Sequence, residues 1–305
     1  MPLNLPNKLP AINELKKENI FVIDQSRADT QDIRPLRIAV LNLMPLKITT
    51  ETDLIRLLSN TPLQIELFFM RIRNHQSKNT SSAHMEAFYS TFEEMKGNKY
   101  DGLIITGAPL EQIPFEEVVY WDEMKQILDW SQTHVTSTLH ICWAAQAALY
   151  HRYGINKYLL ERKLFGVYKH YINDPLHPIF RGFDDAFFVP HSRHTSLHRE
   201  DIEKIPALTI LSESDEAGVH IMIDRGGRNF YVTGHSEYRS NTLHVEYVRD
   251  IQKGKSIAMP QNYYVDDDPS KGINVTWRSH GTLLFANWLN YFVYQASPYN
   301  INEID

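Results

Sequence analysis

Cys142 is the only cysteine in the chain, and it stands at a seam: VTSTLHI runs up to it and WAAQAALYHRYG follows it. The β-branched run predicts a strand and the alanine-rich run a helix, so the thiol falls at a strand-to-helix turn. In an open α/β sheet that turn lies at the carboxyl edge of the strands, where reactive groups gather. Helix N–H groups and the positive end of the helix dipole favour a thiolate there, which is the outline of a nucleophile elbow. A lone cysteine also fits as a small buried hydrophobe; the turn is what favours the reactive reading. A nucleophile needs a base, and the mere presence of histidine, of which there are fourteen, says nothing. VTGHSEY is more specific. It closes a predicted strand, and on extended backbone His235 and Glu237 would share a face. The carboxylate would then hold the imidazole tautomer for proton exchange with Cys142.

Other clusters offer less. In HSRHTSLH, His191, His194 and His198 have ligand-like spacing, but they follow Pro190 in an expected loop and lack a fourth ligand or a helical glutamate, so no metal is expected. No glycine-rich phosphate loop occurs. YYVDDDPSKG reads as a solvated turn.

The elements that must position these residues alternate. LRIAVLNL, LQIELFFMRI, YDGLIITG and VTSTLHI read as strands. ITTETDLIRLLSN, HMEAFYSTFEEM, FEEVVYWDEMKQILDWSQTH and WAAQAALYHRY read as helices, the last stopped by Gly154. The alternation predicts an α/β fold, a mostly parallel sheet flanked by helices through right-handed crossovers. The second half is richer in strand: FGVYKHYI, DAFFVPHS, ALTILSES, and a hairpin turning at Arg225 to Arg228. NTLHVEYVRDIQKG and HGTLLFANWLNYFVYQAS close the chain as helices.

With 305 residues, 43% hydrophobic and 22% charged, the chain can bury a large core. No composition shift marks a boundary, so residues 1–305 are expected to form a single domain. A net charge of −6 without like-charge runs gives no footprint for nucleic acid or an anionic membrane. No signal peptide or membrane span is read. A single thiol suits a reducing compartment, and the expected location is cytoplasmic. Residues 1–34 form an N-terminal extension whose role the sequence does not give.

LNLMPLKITTETDLIRLLSNTPLQIELFFMRI, ITGAPLE, LHICWAAQAALYHRYG and GHSEY together resemble the homoserine O-acyltransferase family of bacterial methionine biosynthesis, also called homoserine transsuccinylase, nearly end to end. The resemblance implies a class I glutamine amidotransferase-like core over residues 36–296, with added N- and C-terminal segments. It also implies acyl transfer from acyl-CoA to the hydroxyl of L-homoserine, a ping-pong reaction through an acyl-Cys142 thioester. Catalysis would rest on Cys142, His235 and Glu237. Oxyanion N–H groups would come from Trp143 and the Gly107–Ala108 turn, and Lys163, Ser192 and Arg249 would contact substrate. Amidotransferases carry glycines flanking the cysteine and a proline before the glutamate. Here His140, Ala144 and Ser236 occupy those positions, which points away from glutamine hydrolysis. The family separates succinyl-CoA users from acetyl-CoA users at the position of Glu111, and a glutamate there implies acetyl-CoA: a carboxylate would repel a succinyl tail and leave a methyl untouched. Acyl-CoA is then a co-substrate and no other cofactor is expected. The open alternatives are succinyl transfer, a cysteine amidase or hydrolase, and a non-catalytic binding protein. The oligomeric state stays open, a homodimer included.

Overall fold

The computed structural model describes residues 3–5, 9–17, 22–24, 34–73 and 79–304. The described strands are β1 (Leu3–Leu5), β2 (Val22–Asp24), β3 (Leu36–Leu41), β4 (Ile65–Arg71), β5 (Tyr89–Thr91), β6 (Tyr100–Ile105), β7 (Val135–Ile141), β8 (Tyr158–Ile172), β9 (Ala186–Ser196), β10 (Leu208–Ser214), β11 (Gly218–Asp224) and β12 (Asn229–Val232). They join one sheet in the order β2-β1-β4-β3-β6-β7-β12-β11-β10-β8-β9, with β5 beside β4. From β1 to β12 the pairing is parallel, and from β12 to β9 it is antiparallel. The fold class is α/β, as the alternating pattern requires.

Helices cover both faces of the parallel part, which is why β6 is buried at every residue. The Trp121–His134 helix turns Met124, Ile127 and Leu128 inward at helical spacing. Much of the N-terminal extension lies outside the described residues. Of the rest, β1 and β2 lengthen the sheet, and Leu9 and Ala11 are buried in the core.

Four local expectations are corrected. HMEAFYSTFEEM is not one helix: Ser82–Phe88 is helical, β5 interrupts, and Phe92–Met95 resumes behind a Thr91–Glu94 capping box. Parallel pairing with β4 and the bond from the Tyr89 hydroxyl to buried Glu51 (2.6 Å) outweigh helical periodicity. FEEVVYW likewise splits into a 3-10 turn at Phe115–Glu117 and a helix that starts only at Trp121. Phe115 is pinned by stacking on Trp121 and Tyr150. The last helix, Arg278–Asn287, continues as a π-helical stretch over Trp288–Tyr294, where the buried Trp288 Nε1 donates to Ser137 Oγ at 2.9 Å. HSRH belongs to β9 and is not a loop.

The step that builds the site is the pairing of β12 with β7, in register Val232 with Ile141. Both chains leave the sheet at the same edge, one into Cys142 and the other towards His235. The Cys142 N–H donates to the Val232 carbonyl at 2.7 Å.

In the antiparallel part, Gly166 (φ +151°) lies against Gln261, and a methyl group on it would fall 2.5 Å from the Gln261 carbonyl oxygen. Gly154 (φ +69°) has open space around it. Gly166→Ala is therefore expected to cost about 3 kcal/mol and Gly154→Ala about 1 kcal/mol. Denaturant unfolding of the two variants checks this, and equal losses would contradict the packing argument.

Candidate active site

Cys142 has φ 54° and ψ −114°, a backbone region that non-glycine residues seldom enter. The turn ends β7 and opens the Trp143–Tyr153 helix, whose Ala145 and Gln146 N–H groups bond back to the Cys142 carbonyl. The thiol is thereby held at the N-terminus of a helix whose first two N–H groups, those of Trp143 and Ala144, precede the first intrahelical bond. The elbow predicted from sequence is present.

His235 and Glu237 meet as expected, for a different reason. The strand stops at Val232 and residues 235–237 form a turn. Within it His235 Nδ1 lies 2.6 Å from Glu237 Oε1. Pro190 accepts from the His235 N–H at 2.8 Å, and the ring stacks on Tyr238 at 4.2 Å. Cys142 lies close enough to the imidazole to act on its charge. Burial by itself would push the His235 pKa down; the negative charges of Glu237 and Cys142, with the Glu237 hydrogen bond, hold it well above the usual histidine range. Gly107 packs against both residues: a methyl group on it would lie 3.3 Å from Cys142 Cβ and 3.4 Å from His235 Cε1.

Lys163 on β8, Ser192 on β9 and Arg249 on the Thr242–Gln252 helix also come together, around a residue that the sequence reading missed. Glu246 accepts from Lys163 Nζ (2.6 Å), Ser192 Oγ (2.8 Å) and Arg249 Nη2 (3.3 Å). Burial raises its carboxyl pKa, but the Lys163 charge and these bonds bring it below the ordinary value. Its only sequence signal was a position one helical turn before Arg249. Arg249 remains half exposed and also bonds Asp250.

Burial pushes the Glu111 carboxyl pKa up, while the charges of His235 and Lys163 act against it.

Beside Gly234 the nitrogens of His170, His191 and His220 lie within 4.8 Å of one another. His191, His194 and His198 form no such group among the described residues, and His198 stacks on Tyr158 instead. Arg193 Nε donates to His191 Nδ1 (3.3 Å). His191 Nε2 therefore carries the proton and donates to His170 Nε2 (3.2 Å), whose Nδ1–H meets the Tyr168 carbonyl (3.0 Å). A protonated Nε2 next to a buried guanidinium is a poor metal ligand. Burial keeps all three histidines neutral.

The homoserine O-succinyltransferase family profile matches residues 2–299. A homoserine O-acetyltransferase of Bacteroides thetaiotaomicron is 67% identical over 305 residues, covering 100% of both chains. One of Acetivibrio thermocellus is 59% identical over 304 residues, again covering 100% of both. In fold the chain is similar to a glutamine amidotransferase of Thermotoga maritima, with a TM-score of 0.56 at 12% identity, covering 84% of this chain and 98% of that one. No helix among the described residues is long and apolar enough to cross a membrane.

Proposed function

The chain belongs to the homoserine O-succinyltransferase family, and from that premise we propose that it transfers an acetyl group from acetyl-CoA to the hydroxyl of L-homoserine through an acyl-Cys142 thioester. The observation that carries the reading is the line from Cys142 through His235 to Glu237 at the strand-to-helix turn.

The Cys142 thiolate attacks the thioester carbonyl, the bond to the CoA sulfur breaks, and the His235 imidazolium can protonate the departing thiolate. One thioester replaces another, so the acyl-enzyme forms without a large change in energy. Homoserine then attacks through its hydroxyl, His235 takes the hydroxyl proton, and the thiolate leaves. Glu237 fixes the imidazole tautomer and supports its charge. The N–H groups of Trp143 and of the Gly107–Ala108 turn bind the oxyanion. The acceptor site is read as Arg249 for the homoserine carboxylate, with Lys163 and Ser192 completing it. Glu246, the carboxylate among them, suits the ammonium. Glu111 excludes a succinyl tail, which favours acetyl-CoA. The acetyl donor is supported by the names of the relatives above. Acyl-CoA serves as co-substrate without a prosthetic group. We read residues 1–305 as a single cytoplasmic domain, with a homodimer compatible.

The test is intact-protein mass spectrometry after brief exposure to acetyl-CoA or succinyl-CoA, followed by homoserine. An acetyl adduct that homoserine discharges is the expected result. A succinyl adduct in its place would refute the Glu111 argument alone, and discharge to water at the same rate without homoserine would make the protein a hydrolase.

A further inference from the structure

Among the described residues no hydrogen bond or ion pair from another side chain fixes the Glu111 carboxylate; His235, Lys163 and Lys157 act on it through charge alone. Its position is therefore set by the turn that carries it. That turn is closed by local bonds, from Leu110 N–H to the Ala108 carbonyl (2.8 Å) and from Ile113 N–H to the Leu110 carbonyl (3.1 Å). Residues 112–114 are exposed. One side chain from elsewhere in the chain reaches across it. Lys157, in the link between the Trp143–Tyr153 helix and β8, donates through Nζ to the carbonyls of Ile113 (2.7 Å) and Leu110 (3.4 Å). These flank Glu111 on either side. The same ammonium lies 4.1 Å over the ring of Phe115, which packs against Tyr150 and Trp143 of the elbow helix.

We propose that Lys157 is the positioning residue for donor choice: by tying the Leu110 and Ile113 carbonyls together over Phe115, it fixes the turn that points Glu111 at the acyl group. The proposal rests on the reading of Glu111 given above. Burial pulls the pKa of the ammonium down and the charges of Glu111 and Glu116 partly restore it, leaving it at about 8. A selectivity element must be held rigidly to reject a larger substrate, since a turn free to swing aside admits it.

The experiment compares kcat/KM for acetyl-CoA and for succinyl-CoA on wild type, Lys157→Met, Lys157→Arg, Glu111→Gly and the double variant of Glu111→Gly with Lys157→Met. Methionine keeps an unbranched side chain of similar reach and removes the ammonium and its donors. Lys157→Met is expected to raise the succinyl-to-acetyl ratio about tenfold, the lower end of what a single charge-assisted hydrogen bond is worth. The KM for homoserine stays where it was, and Lys157→Arg restores the ratio. In the Glu111→Gly background, Lys157→Met changes the ratio no further, because no carboxylate is left to position. The ratio is independent of the fraction of folded protein, so lost stability alone cannot imitate the result. If Glu111→Gly shifts the ratio and Lys157→Met leaves it within twofold of wild type, the role of Lys157 is overturned and that of Glu111 stands. If Glu111→Gly does not shift it, the reading of Glu111 falls and this proposal with it.

Discussion

Cys142→Ala is expected to lower homoserine acetylation by about four orders of magnitude or more, because on the proposed mechanism the reaction would lose its covalent route and keep only what substrate binding and the oxyanion donors supply. Stability changes little by comparison, since alanine is close in size to cysteine and the strained φ of 54° is kept in both. Single-turnover kinetics with a mass-spectrometric assay for the adduct would measure this. A variant retaining more than about a hundredth of the wild-type rate would mean that homoserine attacks the CoA thioester directly, with His235 as the base and no acyl-enzyme. The sulfur would then be a neighbour of the chemistry and not its centre.

Glu237→Gln is expected to reduce kcat by about three to four orders of magnitude, since an amide can present the wrong partner to Nδ1 and cannot support an imidazolium. Its pH signature is separate from that loss. In the wild type, burial opposes the charged imidazole while Glu237 and Cys142 favour it, and the favourable charges prevail. With Glu237 neutral, one of them is gone and burial gains weight. The His235 pKa falls, so the limb of the kcat/KM profile that reports loss of the imidazolium proton moves to lower pH. An unmoved limb with a reduced rate would assign Glu237 a packing role only. Circular dichroism on the same samples separates either result from unfolding.

The elbow was legible because its two halves differ in composition and the chain has no other thiol to confuse the choice. The His-x-Glu pair was legible as a pair, yet the period-two argument for it does not hold: the backbone turns after Val232, and the 2.6 Å contact is made inside the turn. Pro190 pointed to a loop, whereas β9 is the last strand in the sheet order, and an edge strand tolerates a residue without an N–H. Lys163, Ser192 and Arg249 have no local signature and were reached only through family resemblance. Glu246 was invisible for the same reason. Its meaning arises only when β8, β9 and the Thr242–Gln252 helix close on one another. Sequence periodicity records which face of an element is buried, and it carries no information about which two distant elements will touch.

The change from parallel to antiparallel pairing at β12 has a consequence for how such a protein can diversify. Cys142, Gly107 and Glu111 follow β7 and β6 in the parallel half. Lys163 and Ser192 belong to the antiparallel hairpin, and Glu246 and Arg249 to the helix packed with it. His235 and Glu237 leave the sheet where the two halves join. On the function proposed above, donor preference and acceptor preference would be written on different stretches of chain. On that reading a lineage would change its fuel by substitutions in one turn of the parallel half while its grip on the amino acid is inherited intact from the other.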